Sequence, residues 1–304
     1  MNRPNPTCVA VLVLFLSAAA FVADGAALVF QTDFGLKDGA VSAMKGVAHG
    51  VDPRLQQFDL THEIPAYNIW EAAFRLKQTT SYWPAGTVFV NVVDPGVGTE
   101  RRAVVAKTRD GRYIVTPDNG ALTFLAVSPG LAEVRVIDAA KQRLKGSEES
   151  YTFHGRDLFA YVGARLAAGK LAFKDIGPKA VDDVVRLSYQ PAVLSDGVLR
   201  GNIPVLDTQY GNVWSDIPKK LFNQLSPRFG ETFAVTVRCS GTNIWSGTMP
   251  YGATFGAAPP GGPVLYVDSL LEVAIALNQG NFAAKHGVAS GPGWSIEIRR
   301  PEKR

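Results

Sequence analysis

Two carboxylates stand where a parallel sheet would put chemistry. Asp33 follows the apolar run Leu28-Val29-Phe30, and Asp94 follows Thr87 to Val93, which is apolar on nearly every residue. In an open parallel sheet, ligands bind beyond the carboxyl ends of the strands. Both acids would then face one cleft, with Asp59-Leu60-Thr61-His62-Glu63 adding polar side chains from a second strand. Each also has a plainer reading. Asp94-Pro95-Gly96 is a common turn, and Asp33 could cap the helix that follows.

Three familiar chemistries fit poorly. The histidines are His49, His62, His154 and His286, with no HxxxH or HxH spacing and no Cys cluster, so no metal site is expected. His62, Glu63 and Asp59 could make an oxygen-rich site, but nothing in the sequence fixes its geometry. Gly96-Val97-Gly98-Thr99 opens no helix, so it is neither a dinucleotide fingerprint nor a Walker loop. Its glycines would instead let the backbone approach a ligand. No Gly-x-Ser-x-Gly elbow is present. What remains is Asp94, Arg101 and His154, three polar groups that could converge on one small nucleophile.

The elements that would position these groups alternate. A strand from Leu28 leads to a helix from Asp38 to Gly50, a strand from Gln56 to Leu60, a helix from Tyr67 to Tyr82 and the central strand before Asp94. That order predicts an α/β domain with a largely parallel sheet. Asp110-Gly111 then turns a hairpin between Ala103–Lys107 and Tyr113–Thr116, and a helix is expected from Arg156 to Ala168. Beyond about Asp183 the runs become short and β-rich: Val198 to Asp207, Thr232 to Cys239, Val264 to Val267 and Trp294 to Arg299. Leu270 to Leu277 is expected as one interrupting helix. The division is residues 28–183 for the α/β domain and 192–300 for a smaller, mostly β domain.

Composition narrows the setting. A hydrophobic share of 46% against 19% charged excludes a disordered chain. A net charge of +4, spread without basic runs except at the C-terminal end, gives no reason to expect nucleic acid. Residues 1–27 have the plan of a signal peptide: Arg3, then an apolar stretch from Cys8 to Ala23, then small residues with cleavage after Ala20 or Ala27. The expected product is exported, with no membrane attachment once the leader is gone. Cys239 is then the remaining cysteine, expected as a small core residue, with Arg238 on the opposite face of its strand.

Several ordered motifs resemble one family. Thr32-Asp33-Phe34-Gly35, Val92-Val93-Asp94-Pro95-Gly96-Val97-Gly98-Thr99, Pro117-Asp118-Asn119-Gly120 and Thr152-Phe153-His154-Gly155-Arg156-Asp157 are similar to those of the S-adenosyl-L-methionine (SAM) hydroxide adenosyltransferases, adenosine-forming hydrolases related to the fluorinase and chlorinase. Asp207-Thr208-Gln209-Tyr210-Gly211-Asn212 and Ser269-Leu270-Leu271-Glu272-Val273-Ala274 resemble the second-domain signatures. The resemblance implies a homotrimer, a barrel-like C-terminal domain, and a small-molecule substrate held between one subunit's N-terminal domain and its neighbour's C-terminal domain, with no cofactor.

By motif, Asp33 would hold the ribose hydroxyls, Tyr67 would lie beside the sugar, Asp207 would face the methionine ammonium, Asn212 the adenine edge and Ser269 the methionine carboxylate. Tyr210 and Trp214-Ser215-Asp216 depart from the family's Phe and Thr-Asn. Asp94, Arg101 and His154 match the set that holds the attacking water. The halogenating relatives carry Tyr in place of Asp94, whose charge would repel a halide, so the resemblance favours hydrolysis. The competing reading is an exported receptor for an adenosyl compound, which would need the cleft but not that trio.

Overall fold

The computed structural model describes residues 26–301. Its first half is one six-stranded sheet built from β1 (Leu28–Thr32), β2 (Gln57–Thr61), β3 (Val88–Val92), β4 (Ala103–Thr108), β5 (Tyr113–Pro117) and β6 (Leu131–Val136). The strand order is β2-β1-β3-β5-β4-β6, parallel from β2 to β5 and antiparallel across β4 and β6. Every residue of β1 and β3 is buried, as expected for strands covered on both faces. Leu28, Phe30, Val88 and Val90 pack with α1 (Ala40–Val51) and with Phe159 and Val162. Val29 and Phe89 face the other way, onto Leu76 of α2 (Ile69–Thr80).

Helix α2 starts two residues later than its apolar spacing suggests. Asn68 caps it by accepting from the Glu71 amide at 3.0 Å, and Tyr67 lies outside the helix with φ of 66°. The helix expected from Arg156 begins as a π-helical segment, Gly155–Ala160, and continues as an α-helix over Tyr161–Ala167.

The second half consists of two antiparallel sheets. Strands β7 (Val193–Ser195), β8 (Val198–Asn202), β9 (Val205–Leu206), β10 (Val213–Pro218), β11 (Thr232–Cys239), β12 (Thr242–Pro250), β13 (Pro263–Val267), β14 (Glu272–Leu277) and β15 (Trp294–Arg299) order as β12-β11-β15-β8-β7 and β13-β14-β10-β9. Phe233, Val235, Ile296 and Leu199 of one sheet share a core with Val213, Val273, Ile275 and Leu265 of the other.

Two expectations fail here. Leu270–Leu277 is not a helix: Glu272–Leu277 is β14, buried at every position between β10 and β13. Its alternating Val273, Ala274, Ile275 and Ala276 suit a strand covered on both faces, which apolar content alone does not separate from a buried helix. Cys239 is half-buried at the end of β11 rather than in the core.

Helix α2 joins the halves. The Trp70 indole donates to the Pro204 carbonyl at 2.9 Å, Arg75 donates to the Leu206 carbonyl at 3.0 Å, and Lys77 pairs with Glu272. Among the described residues no helix is long and apolar enough to cross a membrane. The leader expected over residues 1–27 lies almost wholly outside them. Ala26 and Ala27, however, bond to the domain: the Ala26 amide donates to the carbonyl of Ala167 at the end of the Tyr161–Ala167 helix, and the Ala27 carbonyl accepts from Val88 of β3.

Candidate active site

Three polar side chains meet where β3 ends. Asp94 follows the strand by two residues, and its carboxylate takes three N–H contacts from Arg101. Nε lies 2.9 Å from Oδ1 and 3.1 Å from Oδ2, and Nη2 closes the fork on Oδ2. The same Nη2 lies 3.1 Å from Nδ1 of His154. This pair is largely shielded from water, with 4% of the Asp94 side chain and 11% of the Arg101 side chain exposed. The Arg101 guanidinium stacks 5.2 Å above the Phe159 ring, a cation–π contact that sequence reasoning did not assign to the site. Phe159 was legible only as a buried residue of its helix.

The local chain explains the fork. Thr99 closes the turn by donating to the Gly96 carbonyl at 2.7 Å. A Cβ on Gly96 would stand 3.2 Å from Arg101 Cγ and 3.3 Å from Thr99 Oγ1, so glycine leaves room for the Arg101 stem to fold back. The glycine here therefore serves the clamp as well as any ligand.

The hydrogen bonds fix the His154 tautomer. A guanidinium only donates, so Nδ1 accepts and the ring proton sits on Nε2. That Nε2–H is buried and has no partner among the described residues. Burial first, then the charges of Arg101 and Arg143, lower the His154 pKa below the usual imidazole value. His154 is a neutral donor here rather than a cation.

Asp33 and Tyr67 sit across the same cleft. The Tyr67 amide donates to Asp33 Oδ2 at 2.8 Å, which aims the carboxylate and requires the left-handed backbone at Tyr67. The Tyr67 ring is exposed. Asp33, Phe34, Ala66, Tyr67, Val92, Asp94, Val97, Thr152, Phe153 and Gly155 line a cavity of about 290 Å³. Space is tight at Gly155, where a Cβ would stand 3.3 Å from the Phe34 ring and 3.2 Å from Val92 Cγ1 and would press on both.

The three second-half residues are elsewhere. Asn212 donates to Asp207 Oδ2 at 3.0 Å, and both line a separate cleft of about 590 Å³ with Tyr210 and Phe255. Ser269 lines neither cleft; it is exposed, and its carbonyl accepts from the Tyr82 hydroxyl at 3.3 Å. Among the described residues no group of three or more His, Cys, Asp or Glu is placed to hold a metal ion.

Residues 28–177 match the SAM hydroxide adenosyltransferase N-terminal domain, and residues 201–295 match the C-terminal domain. The chain belongs to the SAM hydroxide adenosyltransferase family. It is 38% identical over 269 residues to the (R)-S-adenosyl-L-methionine hydrolase of Salinispora arenicola, covering 86% of this chain and 94% of that one. The fluorinase of an Actinoplanes strain is more distant, 26% identical over 289 residues, covering 87% and 95%. A crystal structure of an uncharacterized conserved protein from Thermotoga maritima has a TM-score of 0.82 at 34% identity, covering 90% of this chain and all of that one.

Proposed function

We propose that the chain hydrolyses SAM to adenosine and L-methionine, with water or hydroxide attacking the ribose C5′. The observation that carries this reading is the Asp94–Arg101–His154 cluster, which reaches the wall of the cleft through Asp94. A carboxylate has about four acceptor sites, and Arg101 takes three contacts. One site is left to accept a hydrogen bond from water. The buried Nε2–H of neutral His154, unpartnered among the described residues, would donate to the same water. Held by both, the oxygen keeps a lone pair for C5′ and loses its proton to Asp94 as the bond forms. The sulfonium leaves as a neutral thioether, which never needs a proton, so no general acid is required. Charge is annihilated between nucleophile and leaving group, and a site shielded from water favours that change. The cationic Arg101 favours the hydroxide form.

Asp33 would accept from the two ribose hydroxyls, and Tyr67 would cover the sugar. Asp207, Asn212 and Ser269 would serve the rest of the substrate from another subunit. The trimer is what the family resemblance implies, and two observations support a site shared between copies. The 290 Å³ cavity is at the lower end of pockets that enclose a ligand, and Asp207 and Asn212 line a different cleft. A second copy laying that cleft over Asp33 and Asp94 would complete the site and cover the exposed Tyr67 and Tyr210.

Export is supported by the n-region at Arg3 and the apolar run that follows. Since Ala26 bonds to the helix end at Ala167 and Ala27 to the sheet, cleavage after Ala20 fits better than cleavage after Ala27. The names of the relatives specify the R configuration at sulfur, and we take that epimer as the substrate of this chain.

The test is product analysis with each sulfur epimer of SAM, with and without added chloride or fluoride. Adenosine and methionine, formed at the same rate in halide, support the reading. A 5′-halo-5′-deoxyadenosine product, or binding without turnover, refutes it.

A further inference from the structure

Behind Asp33, on the side away from the cleft, lies a second chain of hydrogen bonds that the reaction does not use directly. Thr32 Oγ1 is 2.8 Å from Nδ1 of His62, and His62 Nε2 is 3.0 Å from Oδ1 of Asp59. Lys45 closes the far end on Asp59 Oδ2 at 2.6 Å. Hydroxyl, imidazole and carboxylate in this order have the spacing of a nucleophilic triad. Thr32 is completely buried, however, and cannot meet a substrate. The arrangement must act through what Thr32 touches.

Thr32 is the last residue of β1, immediately before Asp33, and its Oγ1 also accepts from the Phe34 amide at 3.2 Å. The Gly35 amide in turn donates to the His62 main-chain carbonyl at 2.7 Å. His62 thus grips the Asp33 turn on both sides, with its ring through Thr32 and with its backbone at Gly35. The proton directions follow from the far end. Burial opposes charge on Asp59, yet the hydrogen bonds from Lys45 and His62 hold its carboxyl below the usual range, so it is an acceptor. His62 Nε2–H therefore donates to Asp59, and Nδ1 is left to accept the proton of the Thr32 hydroxyl, whose oxygen takes the Phe34 amide. That turns a Thr32 lone pair toward the Phe34 amide. Each link has one donor and one acceptor, as in the outer shells that orient metal-binding histidines.

We propose that His62 is a positioning residue for ribose recognition, holding the Asp33 carboxylate in register for the 2′- and 3′-hydroxyls through Thr32 and the Phe34 amide. This rests on the reading that Asp33 binds the diol. Its consequence is selective: His62 should govern discrimination for a diol, while the nucleophile's holders at Asp94 stay in place.

The test measures the ratio of affinities for adenosine and 2′,3′-dideoxyadenosine by calorimetry on the folded full-length protein. His62→Asn keeps an acceptor near the place of Nδ1, whereas His62→Gln reaches toward Asp59 and leaves Thr32 without its partner. Loss of one well-placed hydrogen bond corresponds to roughly tenfold in affinity. His62→Gln should therefore lower the ratio by roughly tenfold and raise KM for SAM with kcat little changed, and His62→Asn should restore much of the ratio. Thr32→Val, of nearly equal volume, should reproduce the loss and serves if His62→Gln does not fold. A folded His62→Gln or Thr32→Val with the wild-type ratio overturns the proposal. Asp33→Asn is the separate control: a wild-type ratio there overturns the diol reading of Asp33 itself.

Discussion

Replacing Arg101 separates the two things its guanidinium does. Arg101→Ala leaves the Asp94 carboxylate, 4% exposed, without its partner. An uncompensated buried charge typically costs about 3–5 kcal/mol of folding stability. Arg101→Lys restores a positive charge, but an ammonium cannot reproduce the fork on Asp94 and also reach His154 Nδ1, which the guanidinium does at 3.1 Å. The lysine variant should therefore regain most of the stability lost in the alanine variant. It should not regain the rate. One charge-assisted hydrogen bond is worth about 1.5–3 kcal/mol, and at 1.36 kcal/mol per decade its loss slows turnover about 10- to 150-fold. The assay pairs thermal melts with adenosine release at saturating SAM. Near-wild-type kcat in Arg101→Lys would refute the claim that fork geometry, rather than charge, holds His154 and Asp94 in place. An Arg101→Ala protein as stable as wild type would refute the buried-pair energetics.

Three further outcomes follow from the same geometry. Asp94→Asn should cut kcat by roughly 10²–10⁴, the range for a lost acid–base group, with ligand affinity within a few-fold; mixing it with Asn212→Ala subunits should recover part of the activity if neighbouring chains share sites. Because burial and the nearby arginines lower the His154 pKa, the acid limb of kcat/KM should fall below pH 6.5, and an imidazole limb above that value contradicts the neutral-donor assignment. Burial pushes the Glu272 carboxyl up from 4.5 to about 7 despite its pair with Lys77. The folded state then holds a proton that the unfolded chain releases, so stability falls as pH rises from 4.5 toward 7 and levels off above. Between pH 6 and pH 8 wild type should lose about 1 kcal/mol, and Glu272→Gln should flatten the change in thermal melts.

The parallel core was legible because Leu28 to Phe30 is apolar throughout and Val88 to Val92 is apolar except at Asn91, in short runs that alternate with helical spacing, as strands covered on both faces do. The two acids at their carboxyl ends followed from topology alone. Other features depend on contacts that sequence spacing does not carry. Leu271 takes a left-handed φ of 60° and ends the run from Asp268, so the apolar stretch after it starts as a strand rather than a helix. The expected strand from Val198 to Asp207 divides into β8 and β9, in different sheets, with Ile203 and Pro204 between them. At the site, Asp94, Arg101 and His154 were found as residue types in order. The stacking on Phe159 and the His154 tautomer were not legible, because both depend on where a helix that starts 53 residues after Arg101 places its first turn. His62 was visible as a polar residue at a strand end, but its partner Thr32 is 30 positions away.

The most direct measurement is turnover of SAM in oxygen-18 water, followed by mass analysis of both products. The label should appear in the 5′-hydroxyl of adenosine, with methionine unlabelled, and Asp94→Asn should lower the amount formed without moving the label. Unlabelled adenosine, or label confined to methionine, would show that water does not attack C5′ and would contradict the role given to Asp94, Arg101 and His154.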